Sequence, residues 1–373
     1  MRTAVLSDLH LGAGGGADVA RRPEALDRLA AALEPAERVV LLGDALELRE
    51  RPIADLLETV RPRFERLAAP LSGKRVVLVP GNHDHALVEP WLARERLAGR
   101  SLGAEQQWPV EAGERDGPAG RIASWLPGAE VTLAYPGLWL RPGVYATHGH
   151  YLDLHLTVPR LESIAASAMA RVTGQGSDCR SAAGYEAVLA PLYGFYAGLA
   201  HGASSAALER GASMSRSVWS RVTGNGGVAR VLLGKITIPG AVAALNRLGI
   251  GPFKPELSGA ELRRAGLLAM GRVAEALAPG AEHVLFGHTH RPGPLPGDDP
   301  AEWTTLSGTR LHNSGSWYLE TAFVSTRAER SPYWPGTILW LDTGTDAAPR
   351  VENALGGYAA DTAGAASAGA PSA

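Results

Sequence analysis

The chain has 373 residues, of which 45% are apolar and 20% charged, and its formal net charge at pH 7 is −2. This length can bury a large core, and the composition is that of a soluble globular protein. The near-neutral charge argues against the strongly basic surface of nucleic-acid-binding proteins. The single cysteine, Cys179, excludes an intrachain disulfide and a cysteine-based metal site.

The first residues enter a strand-like segment at once, without the charged leader and apolar segment of a signal peptide. The longest apolar region, residues 228–250, is interrupted by Arg230, Lys235 and Pro239, whereas a membrane-spanning helix needs about 20 mostly apolar residues. We therefore expect a cytoplasmic protein. Docking of residues 228–250 on a membrane surface is an alternative that their few basic residues disfavour.

Three apolar segments, at residues 4–6, 38–42 and 75–80, have the character of buried strands, and amphipathic helices are predicted between them at 23–33 and 52–67. This alternation predicts a parallel sheet. Each strand ends in a polar block, and the blocks are Asp8-Leu9-His10, Gly43-Asp44-Ala45-Leu46-Glu47 and Gly81-Asn82-His83-Asp84. Because ligands bind beyond the carboxyl ends of parallel strands, these blocks predict a site at one sheet edge.

The middle of the chain changes from strands to helices. Residues 99–128 predict loops with one short helix, and strands are predicted at 130–135 and 143–146. The second of these strands is followed by Thr147-His148-Gly149-His150. Apolar residues at helical spacing then predict helices at 159–172, 185–199, 213–222, 228–248 and 258–277. Residues 152–278 are therefore expected to form a mainly helical insertion.

The strand pattern resumes at residues 282–286, which precede Gly287-His288-Thr289-His290. Residues 310–313, 318–326 and 337–342 predict strands of a second sheet, with a tight turn at 313–316. The core domain is thus expected to comprise residues 1–151 and 279–353. The Ala-, Gly- and Ser-rich end, residues 354–373, is predicted to be disordered.

The polar blocks share one chemistry, because each strand end carries side chains that bind metals. A mixed set of Asp, Asn and His suits first-row divalent ions such as Mn, Fe, Zn, Ni or Co. The candidate ligands are Asp8, His10, Asp44, Asn82, His148, His288 and His290. They are too many for one tetrahedral site but fit two ions that share a carboxylate. Two ions about 3.5–4 Å apart can clamp the attacking and leaving oxygens of an in-line displacement.

The five blocks together resemble the calcineurin-like metallophosphoesterase superfamily. Its pattern is D-x-H, G-D-x-x-[DE], G-N-H-[DE], a histidine in a G-H or H-G context, and G-H-x-H, and every block is present here in order. The resemblance implies an α/β fold, a four-layer αββα sandwich, with residues 152–278 as an insertion outside it. It also implies an enzyme that hydrolyses a phosphodiester, a pyrophosphate or a phosphomonoester with two divalent ions, Mn being the first expectation.

The resemblance further implies a role for each residue. Asp8, His10 and His290 would hold one ion, Asn82, His148 and His288 the other, and Asp44 would bridge them. A bridging hydroxide would attack phosphorus. His83 would protonate the leaving oxygen and Asp84 would orient His83. Glu47 is expected to be a supporting acid. His150 matches no required ligand, and its alternatives are an ordinary structural residue or a contact to a ligand residue or to phosphate. Arg49 and Arg291 lie beside blocks and could bind substrate phosphate, but each alone is expected to be an ordinary surface arginine.

The substrate is less well defined by the sequence. The blocks Ser-Asp-Leu-His-Leu, Gly-Asp-Ala-Leu-Glu and Gly-Asn-His-Asp are similar to the bacterial UDP-2,3-diacylglucosamine pyrophosphatase branch, which implies a lipid-linked diphosphate and a cap formed by the insertion. Packing of the insertion helices on each other and on the sheet is the alternative to a cap. A non-catalytic scaffold with this fold, a nuclease and a protein phosphatase are alternative functions.

Overall fold

The structure is a computed structural model and describes residues 1–110, 117–174, 179–202, 238–255, 258–319 and 331–358. The strands are β1 (Arg2–Leu6), β2 (Arg38–Leu42), β3 (Arg75–Val79), β4 (Gln106–Pro109), β5 (Glu130–Tyr135), β6 (Gly137–Arg141), β7 (Val144–Thr147), β8 (His283–Phe286), β9 (Arg310–Asn313), β10 (Thr337–Asp342) and β11 (Arg350–Asn353). The helices are α1 (Pro23–Leu33), α2 (Ile53–Leu71), α3 (Glu89–Leu97), α4 (Pro118–Ser124), α5 (Leu161–Thr173), α6 (Ala182–Gly202), α7 (Ile238–Arg247) and α8 (Gly259–Leu277).

Two sheets carry the strands. The larger sheet has the order β11-β10-β1-β2-β3-β5-β4, and the smaller one has the order β6-β7-β8-β9. Strands β1, β2, β3 and β5 pair in parallel, as the sequence predicts, and so do β7, β8 and β9. The strands that carry the five polar blocks therefore lie in the parallel parts of the two sheets.

Strand β10 corrects one prediction. Residues 337–342 were expected in the second sheet, but β10 lies antiparallel to β1 in the larger sheet, with Leu341 opposite Thr3. The alternation of side chains between the two faces of β10 explains this position. Ile338 faces the helices outside the larger sheet, and Leu339 and Leu341 face the other sheet, so both faces of β10 are covered. The sequence shows that this strand is buried, but it does not show which sheet receives it.

The four-layer αββα sandwich is confirmed by the way side chains alternate across the sheets. Val5, Val40 and Leu285 belong to the core between the two sheets. Leu6 and Leu41 point the other way, into the core shared with α1, α2 and α4. On the opposite outer side, the smaller sheet packs against α5, α6 and α8, and its contributing residues are Tyr145, Val284, Phe286 and Leu311.

The predicted helices before residue 174 are confirmed near their expected bounds, and so are α6 and α8. Helix α8 packs on the smaller sheet, so it forms part of the outer layer of the sandwich, although the expected boundaries assign it to the insertion. The helix predicted at 213–222 and residues 228–237 of the one predicted at 228–248 lie outside the described residues, and α7 lies in the described part of the latter. None of the described helices combines the length and the apolar character needed to cross a membrane.

The carboxyl end of the described chain is packed into the core. Leu355 and Tyr358 are buried against the helices outside the larger sheet. The core therefore continues past the expected boundary at residue 353, at least to residue 358. The remainder of the predicted disordered end, residues 359–373, lies outside the described residues.

Candidate metal centre

Backbone hydrogen bonds join the loops that follow β1, β2, β7 and β8 into one platform. The amide of Asp8 donates to the carbonyl of Gly43 at 3.0 Å, and the amide of His10 donates to the carbonyl of Asp44 at 2.8 Å. Within the smaller sheet, the amide of Gly287 donates to the carbonyl of His148 at 2.9 Å. Between the two sheets, the amide of His288 donates to Oδ2 of Asp8 at 3.0 Å. Strand ends that are far apart in sequence therefore meet at one edge.

The backbone is unusual at this platform. Within the described residues, the non-glycine residues with positive φ are Asp8, His10, Asp44, His288 and His290, with φ angles of 53°, 43°, 51°, 64° and 61°. This left-handed region is unfavourable for L-residues other than glycine, costs on the order of 1 kcal/mol at each position, and is found mainly at functional sites. All five are candidate metal ligands, so the fold holds strained backbone at the positions that aim these side chains.

The side chains converge in two groups. The ligand atoms of Asp8, His10 and His290 lie within 4.8 Å of one another, and Nε2 of His290 is 3.3 Å from Oδ1 of Asp8. The second group consists of Asp44, His148 and His288, and Nε2 of His148 is 3.1 Å from Oδ2 of Asp44. The same Oδ2 atom is 3.9 Å from Nε2 of His10, so Asp44 lies between the groups.

Asn82 completes the second group. Its side-chain oxygen lies 3.3 Å from Oδ2 of Asp44 and 3.2 Å from Nδ1 of His288. A rotated amide would instead donate two hydrogen bonds to the same atoms. With its oxygen on this side, the amide would offer a cation a third electron-pair donor beside the carboxylate of Asp44 and the imidazole of His288. The structure therefore brings all seven sequence-predicted ligands together.

Hydrogen bonds on the far side of each ring fix which nitrogen of the histidines faces the centre. Nδ1 of His10 donates to Glu47 at 3.1 Å, and Nδ1 of His148 donates to the carbonyl of Leu42 at 2.9 Å. Nε2 of His288 donates to Asp153 at 3.0 Å. The other nitrogen of each ring then presents a lone pair to the centre, as metal-binding histidines do.

Burial supports a cation as well. Asp8 and His148 are 0% exposed, and Oδ1 of Asp8 accepts no hydrogen bond from the described residues. A buried carboxylate oxygen without a donor is costly unless a cation compensates it. The strained backbone, the fixed tautomers and this oxygen all fit a pair of divalent ions.

The electrostatics of the cluster favour positive charge. Burial alone would lower the pKa of His10, but the carboxylates of Glu47, Asp44 and Asp8 raise it to about 9. In the same way, Asp44 and Asp8 overcome burial at His148 and raise its pKa to about 10. Burial would raise the pKa of Asp44, but His148, His83 and His10 hold it well below its usual range. Protons and metal ions therefore compete for the same lone pairs.

The acid that contacts His83 is Glu47, and this corrects the role predicted for Asp84. Nδ1 of His83 donates to Oε2 of Glu47 at 2.6 Å. The carboxylate of Asp84 instead accepts hydrogen bonds from backbone amides, at 2.6 Å from Gly81 and 2.8 Å from Ala45. Asp84 therefore holds the loops after β2 and β3 together, and Glu47, at 4% exposed, supports both His10 and His83.

Asp153 is a residue of the centre that sequence reasoning missed. It lies in a short 3₁₀ helix, His150–Leu154, and is buried beside His288. The available signal was its position three residues after His150. His150 itself is 1% exposed and packs edge-on against Tyr151 at 4.5 Å between ring centroids. Burial and the neighbouring His148 lower its pKa well below its usual value, so His150 is a neutral packing residue.

The two arginines beside the blocks differ in their contacts. Arg291 makes a two-pronged ion pair with Asp298, at 2.9 and 2.6 Å. Arg49 points into the centre, with Nη1 at 3.2 Å from Nε2 of His83. The guanidinium carbon of Arg49 lies 3.9 Å from the centre of the Tyr196 ring of α6.

Comparisons with known proteins agree with this geometry over the first part of the chain. The sequence model of the calcineurin-like phosphoesterase family matches residues 1–171, which include the first four blocks and end before Gly287. No curated protein matches the chain.

Among solved structures, the chain is similar to a cold-active protein-tyrosine phosphatase from the psychrophile Shewanella sp. The match has 13% identity, covers 95% of this chain and 78% of that chain, and has a TM-score of 0.29, which is too low to carry an argument. The family match over residues 1–171 includes Asp8, His10, Asp44 and His148 of the two ligand groups, and His288 and His290 lie beyond it.

Proposed function

We propose that this chain is a metal-dependent phosphohydrolase with a binuclear centre. The observation that carries the proposal is the position of Asp44, whose Oδ2 atom lies 3.1 Å from Nε2 of His148 in one ligand group and 3.9 Å from Nε2 of His10 in the other. A carboxylate between two histidine-containing groups is suited to bridging two ions. Manganese is the first candidate, and iron, zinc, nickel and cobalt suit the same mixed donors.

The ligand assignment follows the two groups. Asp8, His10 and His290 would hold one ion, Asn82, His148 and His288 would hold the other, and Asp44 would contact both. Two divalent ions at this place would polarise phosphoryl oxygens and lower the pKa of water from about 15.7 toward about 7. Such chemistry needs no protein nucleophile.

His83 is the candidate proton donor. Its side chain is 23% exposed, whereas that of Glu47 behind it is 5% exposed, so a substrate can reach the imidazole but not the carboxylate. The hydrogen bond from Nδ1 to Glu47 leaves Nε2 as the atom that faces the substrate side. An imidazole at this place can give a proton to the leaving oxygen.

The substrate class is a phosphomonoester, a phosphodiester or a pyrophosphate. The sequence resemblance to the UDP-2,3-diacylglucosamine pyrophosphatase branch makes a lipid-linked diphosphate one member of the panel to test. Helix α6 of the insertion contacts Arg49 beside the centre, which supports a role for the insertion in covering the substrate.

The test is hydrolysis of this panel by the purified chain with Mn²⁺ and with a chelator. We expect turnover only with the metal, and we expect Asp44→Asn and His83→Ala to lower kcat by at least about 100-fold, since general acid–base catalysis contributes about 10²–10⁴-fold. Circular dichroism of both variants controls for folding. Full activity of both variants, or turnover that survives chelation, would refute the proposal.

A further inference from the structure

Helix α6 of the insertion lies along the centre and contacts it on one face. Glu186, Tyr193 and Tyr196 are seven and three residues apart, so they lie within one arc of the helix. The carboxylate of Glu186 accepts a hydrogen bond from His85 at 2.7 Å, one residue after Asp84. Tyr193 packs against the ring of His85, with centroids 4.8 Å apart. The same face of α6 then reaches Arg49 through Tyr196.

A buried network fixes the position of α6. Besides His85, the hydroxyls of Tyr135 and Tyr151 donate to Glu186 at 2.7 and 2.9 Å. Burial would raise the pKa of Glu186, but His85 and these hydroxyls hold it below its usual value, so the carboxylate is charged. A buried charge with three hydrogen bonds is costly to displace. Tyr196 is therefore held at a defined place beside the centre.

Arg49 is half-buried between Tyr196 and His83, and its guanidinium has more N–H donors than its contacts use. Within the described residues its side chain donates to Nε2 of His83, lies 3.2 Å from the side-chain amide of Asn82 and stacks on Tyr196, and it forms no ion pair within 4 Å. Burial would raise the pKa of Glu162, but the charges of Arg160 and Arg49 lower it, so this carboxylate balances part of the positive charge. A guanidinium has five N–H donors in a planar fork, which matches the oxygens of a phosphoryl group.

We propose that Arg49, held in place by Tyr196, binds non-bridging oxygens of the substrate and favours phosphoryl groups with two negative charges over phosphodiesters with one. The inference rests on the proposed phosphohydrolase function and deepens it. A phosphomonoester is largely a dianion above pH 7, because its second pKa is about 6, whereas a diester carries one charge. An additional fixed cation at the centre therefore stabilises the bound dianion more than the bound monoanion.

The experiment compares p-nitrophenyl phosphate with bis(p-nitrophenyl) phosphate at pH 8 in the Mn²⁺-loaded chain. We expect Arg49→Gln to lower kcat/KM by about 100-fold for the monoester and by about tenfold for the diester, the range expected for hydrogen bonds to a charged group. Arg49→Lys, which keeps the charge and loses the fork, should lie between. Arg61→Gln is the matched control, because Arg61 is exposed and pairs with Glu65 away from the centre.

Tyr196 is a positioning residue in this proposal, and its variants separate positioning from packing. Tyr196→Phe keeps the ring and should keep the monoester-to-diester ratio. Tyr196→Leu should lower the ratio in the same direction as Arg49→Gln, by about threefold, because a cation–π contact is modest in strength. Equilibrium dialysis of inorganic phosphate against the Mn²⁺-loaded chain gives a readout without turnover, and Arg49→Gln should weaken phosphate binding by at least about tenfold.

The outcomes distinguish a failure of the role proposed for Arg49 from a failure of the proposed phosphohydrolase function. An active wild type whose monoester-to-diester ratio is unchanged by Arg49→Gln overturns the role of Arg49 and leaves the proposed function standing. A wild type that hydrolyses neither ester overturns the proposed function for these substrates, and the phosphate dialysis then decides the role of Arg49. Equal phosphate binding by wild type and Arg49→Gln, with metal content and thermal unfolding matched, also overturns it.

Discussion

The carboxylate of Glu47 lies 2.6 Å from Nδ1 of His83. The same oxygen lies 3.1 Å from Nδ1 of His10, so one buried acid orients a candidate ligand and the candidate proton donor together. Glu47→Gln replaces the carboxylate with a neutral amide and weakens the orientation of both His83 and His10. We expect kcat to fall by about 10–100-fold, the usual cost of losing such a supporting partner. The measurement is steady-state hydrolysis with saturating Mn²⁺.

The exposed Glu65→Gln is the control for Glu47→Gln, because Glu65 pairs with Arg61 on the surface of α2. Equal kcat values for Glu47→Gln and wild type would show that His83 does not need this carboxylate.

Asp84 has a different role and gives a different prediction. Its two oxygens accept from the amides of Gly81, Ala45 and Asp44, at 2.6, 2.8 and 3.2 Å. Burial and the neighbouring Asp44 raise the pKa of Asp84 to about 6, and the amide hydrogen bonds oppose that rise. Asp84→Asn places an NH₂ group against amide donors, so we expect a loss of about 1–3 kcal/mol in the free energy of unfolding. Chemical denaturation with and without Mn²⁺ measures it, and an unchanged unfolding midpoint would argue against the loop-joining role.

Asp153 is expected to control metal affinity. Its carboxylate accepts from Nε2 of His288 at 3.0 Å and so turns Nδ1 of that ring toward Asn82. Asp153→Asn should weaken Mn²⁺ binding by about 10–100-fold at the ion held by His288 and leave the other ion less affected. Competition of Mn²⁺ with a chelator measures both affinities. Asp55→Asn on the exposed side of α2 is the control, and equal affinities in the two variants would contradict the assignment.

Without metal, stability should fall as pH rises. The folded-state pKa values of His10 and His148, about 9 and about 10, lie above their ordinary value of 6.5. The protonated rings therefore stabilise the fold fully below about pH 6.5, and that contribution is lost as pH rises through 9 and 10. With Mn²⁺ bound, the ions have displaced these protons, so the same pH change should cost less stability.

Thermal unfolding between pH 7 and 10, with chelator and with Mn²⁺, measures this difference. His148→Gln should reduce the pH dependence of the chelated chain. A chelated chain that becomes more stable over this range would contradict the charges assigned to the two histidines.

The polar blocks predicted the centre well because each lies directly at a strand end, so sheet topology alone brings Asp8, Asp44, Asn82, His148 and His288 together. Contacts made through space could not be predicted in the same way. Glu47 and Asp84 both lie in blocks, and only the path of the loops decides which of them reaches His83. Asp153 follows His150 in a 3₁₀ helix whose direction the sequence does not specify.

The fold shows the same division between local and long-range information. The amphipathic spacing of α1 and α2 predicted helices that the structure confirms. Strand β10 is apolar on both faces, and either sheet would cover such a strand equally well. Its pairing with β1 depends on long-range contacts that the local sequence does not specify. The packing of α8 on the smaller sheet depends on long-range contacts as well. The composition of residues 258–277 would suit packing within an insertion equally well.

The most direct test of the account is a titration of the metal-free chain with Mn²⁺ while hydrolysis of p-nitrophenyl phosphate is followed, at a protein concentration well above the dissociation constants. The account predicts no turnover without metal and a rise that reaches its plateau at two ions per chain in wild type. Asp44→Asn should show no comparable rise. Turnover without added metal, or a plateau at one ion per chain, would contradict the binuclear centre.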